Sequence, residues 1–148
     1  MPKPQPKKID TKDLVALAQD VIREAKFPMM ATVDGDQPRV RPVSPVHVDK
    51  FTIYIANLKS YAKTRQLAEN PNVELCYLDS HHNQVRIIGK AEIVQDRKLL
   101  QFFWDKNRLL EHYLGTIDNP ELIVYRIVPG KVQYMQEWAL TYHQVPLD

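Results

Sequence analysis

Through Val46, Val48, Phe51, Ile53 and Ile55 apolar side chains alternate with others, and further short strand-like runs, joined mostly by short links, extend from residue 30 to residue 134. A period of two belongs to half-buried strands, not to helices. Strands are predicted at 30–33, 40–48, 51–56, 73–78, 84–94, 122–128 and 131–134. Parallel neighbours need a crossover of about a dozen residues or more. Most of these links are shorter, so the sequence predicts a mainly antiparallel sheet closed into a small barrel. Asp34-Gly35-Asp36 carries the Asp-Gly pair favoured in hairpins. Val48-Asp49-Lys50-Phe51 is read as a second tight connection, and a last hairpin is expected across Pro129-Gly130. Gly89, inside the long 84–94 run, marks a bulge or a close backbone approach. Pro38, Pro42 and Pro45 lie in or beside the second run. Proline cannot donate to a sheet ladder, so that strand is expected at an edge, or bulged.

Helices interrupt the strands in three places. Asp10-Thr11-Lys12-Asp13 supplies capping residues for a helix whose buried face would carry Leu14, Leu17, Ala18, Val21, Ile22 and Ala25. A short helix is predicted over 60–69, with Ser60 as its cap and Asn70-Pro71 as its end. The longest runs from Asp96 to Gly115, with Leu99, Leu100, Phe103, Leu110 and Leu114 as its apolar stripe. The last ten or so residues read as irregular. The 148 residues suit one domain with a genuine core. Residues 1–10 are expected to form a flexible tail and 11–148 the single domain.

Charge and composition narrow the function. The net charge is +2, and without Lys3, Lys7 and Lys8 of the tail it becomes −1, which argues against a nucleic-acid binder. Cys76 is the single cysteine, so no internal disulfide can form; a cytoplasmic location is expected. No apolar stretch reaches membrane-spanning length, so no membrane partner is expected. His81-His82 lies in a polar turn, and no second Cys/His pair stands at zinc-type spacing, so no metal site is read there. Cys76, Phe103 and Trp104 are read as packing residues, and no Ser-His-Asp arrangement is visible.

One stretch carries an unexpected charge. The strand at 51–56 runs through Asn57-Leu58-Lys59-Ser60 into a helix with Lys63 in its first turn. The exposed amides and dipole at a helix start favour an anion, so a lysine there is out of place unless something negative binds. A phosphate would explain it. Arg39 and Arg41 are two apart on the preceding strand and share a face. This corner is predicted to hold the phosphate of a nucleotide-like cofactor.

Four segments then resemble the FMN-binding split-barrel family related to pyridoxamine 5′-phosphate oxidase, over roughly residues 27–134. The first is Pro38-Arg39-Val40-Arg41-Pro42-Val43, similar to the family's Arg-x-Val strand beside the flavin. The second is Ile55-Ala56-Asn57, then Ser60, Lys63, Leu67 and Asn70-Pro71, similar to the segment whose Ser and Lys grip the FMN phosphate. The third is Gln84-Val85-Arg86-Ile87-Ile88-Gly89-Lys90-Ala91-Glu92, similar to the strand whose Gln reaches the flavin from the second subunit. The fourth is Pro129-Gly130-Lys131-Val132-Gln133-Tyr134-Met135, similar to the last barrel strand.

The resemblance implies an α+β, mainly β fold: a six- to seven-stranded antiparallel split β-barrel with peripheral helices. It also implies a homodimer with FMN in clefts between subunits. The cofactor residues it implies are Arg39, Arg41, Pro42, Val43, Ser44, Ala56, Asn57, Ser60, Lys63 and Gln84, with Trp138 as an aromatic able to cover the flavin. Backbone groups at 41–44 would meet the polar edge of the ring. Three features depart from the oxidase. The Ser-to-Lys spacing is one residue longer, leaving Ser60 or a neighbour as the phosphate contact. Met135 stands where the oxidase has tryptophan. The terminal Arg-x-His that grips the pyridoxine substrate has no match in residues 137–143.

A small FMN-dependent oxidoreductase with a small-molecule substrate and a nicotinamide donor is therefore expected, with no catalytic residue assigned. Two alternatives stay open. One is a flavin-binding carrier or sensor without turnover. The other is a relative carrying deazaflavin F420, or haem on His47, His112 or His143.

Overall fold

The computed structural model describes residues 1–2, 5, 8–137 and 139–147. A 3-10 turn at Thr11–Asp13, capped by the Asp10 carboxylate accepting from the Lys12 amide, leads into α1, Leu14–Ala25. The strands are β1 (Met29–Asp34), β2 (Gln37–Pro42), β3 (Pro45–Asp49), β4 (Thr52–Leu58), β5 (Asn72–Leu78), β6 (Gln84–Ile93), β7 (Leu122–Met135) and β8 (His143–Gln144). Three further helices are α2 (Ala62–Glu69), α3 (Arg97–Lys106) and α4 (Arg108–Leu114).

All pairings are antiparallel, in the order β2-β1-β5-β6-β7-β4-β3, with β8 added on β7. The two edges, β2 and β3, are neighbours in sequence, separated only by Val43 and Ser44. The sheet curls so that its edges approach at this point without closing, the geometry of a split barrel. The fold is α+β and mainly β, as expected, with the short β8 as an eighth strand in a tail read as irregular.

The core follows from the alternation. Met30, Leu75, Ile87 and Val132 stand in register across four strands and are buried on one face. Leu14, Ala18, Val21 and Ile22 of α1 close over the same cluster. A second cluster on the other face joins Tyr54, Val94, Phe103 and Val124, covered by α3.

Four expectations need correction. The predicted 40–48 strand is two strands on opposite edges of the sheet, because Pro42 and Pro45 interrupt the ladder on both sides of residues 43–44. The expected hairpin at Pro129-Gly130 is a bulge within one long strand, with the register shifting between Ile88 and Gly89. A Cβ on Gly89 would lie 2.3 Å from the Val128 carbonyl oxygen, so only glycine permits that approach. The predicted long helix breaks at Asn107, whose carboxamide donates to the carbonyls of Phe103 (2.7 Å) and Val46 (3.1 Å), tying the break to β3. The cap of α2 is Tyr61 and not Ser60; Tyr61 is extended and makes no side-chain cap hydrogen bond.

Lys26, after α1, has φ 64° and ψ −47°, and the Phe27 amide donates to the Ala25 carbonyl at 2.7 Å. This is a positive-φ γ-turn, a conformation that costs on the order of 1–3 kcal/mol and persists only where the surroundings enforce it.

Candidate functional site

Beyond β4 the chain turns through Lys59, Ser60 and Tyr61 into α2. The Lys59 amide donates to the Glu121 carbonyl and the Tyr61 amide to the Leu58 carbonyl, which hold the turn against the start of β7. The Asn57 carboxamide, buried, donates to the Thr64 hydroxyl at 2.9 Å, and that hydroxyl donates to the Leu58 carbonyl at 3.0 Å. Asn57 therefore braces the strand-to-helix corner from inside. Among the described residues, no acceptor meets the amides of Ala62 and Lys63, the first two of α2. Free amides in a first helical turn form a ready anion site.

The cations complete it. Burial, then repulsion from Arg41, pulls the Lys63 ammonium down to about 8. Arg41 is on the core face of β2, opposite Met30. Its guanidinium donates to the Thr32 hydroxyl at 2.7 Å, to the Gln66 carboxamide oxygen at 2.9 Å and to the Met30 carbonyl at 3.3 Å. Thr32, itself buried, donates its hydroxyl to the same Gln66 oxygen at 2.6 Å. Neutral groups thus fix Arg41 in place without cancelling its charge. Among the described residues, no carboxylate pairs with Arg41 or Lys63.

The other expected residues separate. Arg39 stands 4.0 Å from Asp34, whose carboxylate also takes Arg65 in a two-pronged contact at 3.1 and 3.2 Å. Hydrogen bonding from Arg65 holds the Asp34 carboxyl below its usual range. Arg39 is thus engaged, and Arg41 is left as the available arginine. Ser60 points the other way: its amide donates to the Glu121 carboxylate at 3.1 Å, and its hydroxyl, together with that amide, lowers the Glu121 carboxyl. A carboxylate already occupies Ser60, so the amides left without an acceptor at this corner, among the described residues, are those of Ala62 and Lys63.

Val43 is buried, and its amide donates to the Pro28 carbonyl at 3.0 Å, while Pro42 and Ser44 are exposed between the sheet edges. Ala56 packs against the second cluster, on the face covered by α3. Gln84 is far along the sheet on β6, where its carboxamide oxygen accepts from the Tyr142 hydroxyl at 2.8 Å. Arg86 pairs with Glu74 and stacks over the Tyr142 ring at 5.3 Å. Trp138 lies outside the described residues. Of the histidines, His47 packs at 5.3–5.7 Å from the rings of Phe102, Phe103 and Tyr54; His112 stacks on Tyr113; His143 pairs with Tyr134 in β8.

Sequence reasoning missed Thr32, Gln66, Thr64 and Glu121. Gln66 was within reach, since it stands three residues after Lys63 and therefore shares its helix face. Thr32 and Glu121 gave no local signal. A cavity of about 600 Å³ lies between α1 and β3; none of the expected FMN residues lines it, though His47, one of the haem candidates, does. Among the described residues, no group of acidic, histidine or cysteine side chains is arranged to hold a metal, and no helix is long and apolar enough to cross a membrane.

The pyridoxamine 5′-phosphate oxidase family model matches residues 14–136. The chain belongs to that family. No curated protein gives a significant match. Solved structures share the family fold at low identity. A protein related to general stress protein 26 of B. subtilis, from Clostridium acetobutylicum, superposes with TM-score 0.78 at 19% identity, covering 95% of this chain and 98% of that one. A NimC/NimA family protein from the same organism gives 0.75 at 20% identity over 90% and 92%. A haem-binding protein from Mycobacterium smegmatis gives 0.74 at 13% identity over 94% of this chain and 59% of its own. The family's split barrel thus occurs in proteins of different names, and the residues of the corner must carry any statement about ligand.

Proposed function

We propose that the corner between β4 and α2 binds the phosphate of FMN, and that the protein is a small FMN-dependent oxidoreductase acting as a homodimer. The observation that carries this reading is the pair Arg41 and Lys63: two cations, one substantially buried, with no carboxylate partner beside two free helical amides. A phosphate ester supplies the missing negative charge, and charge-assisted contacts to it are among the stronger hydrogen bonds. The donor set therefore fits the cofactor usual in this family. Lys63, Arg41 and the α2 amides would hold its phosphate, and the backbone at residues 42–44 would meet the ring. Bound FMN would supply hydride or single-electron transfer, with the protein providing position and charge.

A second subunit would cover the open outer face of the sheet. The outer face of β2, β1, β5 and β6 carries Val40, Met29, Leu78 and Ile88 exposed, with no helix over them among the described residues. Covering that face would bring Gln84 and the C-terminal segment of one chain toward the other, where the family resemblance assigns them a flavin role. Without the Arg-x-His of the oxidase, the substrate would be something other than pyridoxamine phosphate.

The purified protein tests this directly. Flavin absorbance that survives gel filtration, lost at least tenfold in affinity in Lys63→Ala, is the expected result. An unchanged FMN affinity in that variant removes the corner from the site, and a Soret band in place of flavin absorbance replaces the cofactor. Turnover of NADH or NADPH with a dye acceptor separates an oxidoreductase from a flavin carrier.

A further inference from the structure

We propose that the cavity between α1 and β3 is a second site, which binds a small organic anion with an apolar body. Its volume, about 600 Å³, lies in the range occupied by small ligands, ~300–1,000 Å³. Ile22 and Phe27 form one wall, and Pro45, Val46 and Val48 of the sheet edge form the other. Arg23, Lys26 and Lys50 stand in the lining, with no carboxylate among the lining residues. Arg23 is held by Asp20 at 2.6 Å, just outside the cavity. Lys26 and Lys50 have no ion pair or hydrogen-bond partner for their side chains among the described residues.

Both lysines have positive φ, 64° and 55°, and both are exposed at the rim of the cavity. Lys26 follows the last turn of α1, where its amide donates to the Ile22 carbonyl, and Lys50 occupies the turn between β3 and β4. Two cations without an ion-pair partner among the described residues, lining an apolar trough, match a ligand with a negative head and a hydrocarbon or aromatic body. His47, also in the lining, is locked by its three aromatic neighbours and presents a fixed ring to that body.

This site is separate from the phosphate corner: no residue is common to both. It does begin next to residues 42–44, because the Val43 amide bonds to the Pro28 carbonyl and the cavity opens at Phe27 and Pro45. The proposal does not depend on flavin.

Octanoate is a suitable probe, with octylamine as the control of opposite charge. Titrated into the full-length protein, octanoate should shift the amide resonances of residues 19–27 and 46–50 in a saturable way, and octylamine should not. Lys26→Asn combined with Lys50→Asn removes both charges while placing at each site a residue that tolerates positive φ. It should weaken octanoate at least tenfold while the far-UV circular dichroism and a cooperative thermal melt stay intact, a control that reports an intact fold. Equal responses to octanoate and octylamine, shifts that map elsewhere, no saturable binding, or unchanged octanoate affinity in the double variant would each overturn the proposal.

Discussion

The guanidinium of Arg41 and the ammonium of Lys63 stand close enough to repel one another, and no described carboxylate separates them. Arg41 is fixed by Thr32 and Gln66, which are neutral, so its charge remains available. The arrangement costs the protein stability, a cost that a bound anion would offset.

That cost has a pH signature. Burial and Arg41 pull the Lys63 ammonium down to about 8 in the folded chain from its ordinary 10.5, so the unfolded chain binds more protons between these values. Stability of the unliganded protein should therefore rise from this group as pH increases from 8 to 10.5. After discount for partial exposure, the effect is about 1–2 kcal/mol. Lys63→Met should stabilise the unliganded protein by about the same amount at pH 7 and flatten that rise, while weakening FMN. Chemical denaturation at pH 7 and pH 10 measures both. FMN affinity should fall as pH climbs above 8.

Gln66→Leu removes the acceptor shared by Thr32 and Arg41. A buried hydroxyl left without that partner costs about 1–3 kcal/mol. Denaturation midpoints should show this loss, and FMN should bind more weakly because Arg41 is no longer held in place. A variant with lowered stability and intact FMN affinity would uncouple the brace from the site.

Gly89→Ala and Gly130→Ala should differ sharply. A Cβ at Gly89 meets the Val128 carbonyl oxygen at 2.3 Å, whereas at Gly130 the nearest atom is 3.5 Å away. The first should destabilise by about 3 kcal/mol through backbone displacement at the bulge, and the second by less than about 1 kcal/mol. Paired thermal melts decide it.

The Tyr77 hydroxyl is buried, and among the described residues it has no hydrogen-bond partner. Tyr77→Phe should therefore raise stability by roughly 1 kcal/mol, since the hydroxyl gives up its contact with water and gains nothing. A lower melting temperature in this variant would mean that the hydroxyl has a partner after all.

Ile88→Glu places a charge in the middle of the exposed outer face of β6. If a second copy covers that face, light scattering should show the mass halve, with FMN retention falling in parallel. An unchanged mass would assign the dimer contact to another surface.

Alternation and turn chemistry made the strands legible: Ile53 and Ile55, read as one face of a half-buried strand, are buried in the core. Lys63 was legible as well, because a lysine in a first helical turn contradicts the local dipole and so points to something beyond the helix. The cap was misassigned because Ser60 has the right side chain, but Glu121, sixty-one residues on, takes its amide. The segment around Pro42 and Pro45 was marked as interrupted, yet nothing local says that its halves go to opposite edges of one sheet.

By itself, then, the sequence determined which residues turn inward, where the chain bends and which lysine is misplaced, since each of these depends on neighbours a few positions away. Tertiary structure alone decided that Thr32 and Gln66 would hold Arg41, that Glu121 would engage Ser60, and that α1 and β3 would leave a cavity between them. Those outcomes depend on hydrogen bonds and packing between residues distant in the chain, and such contacts leave no period or motif to read.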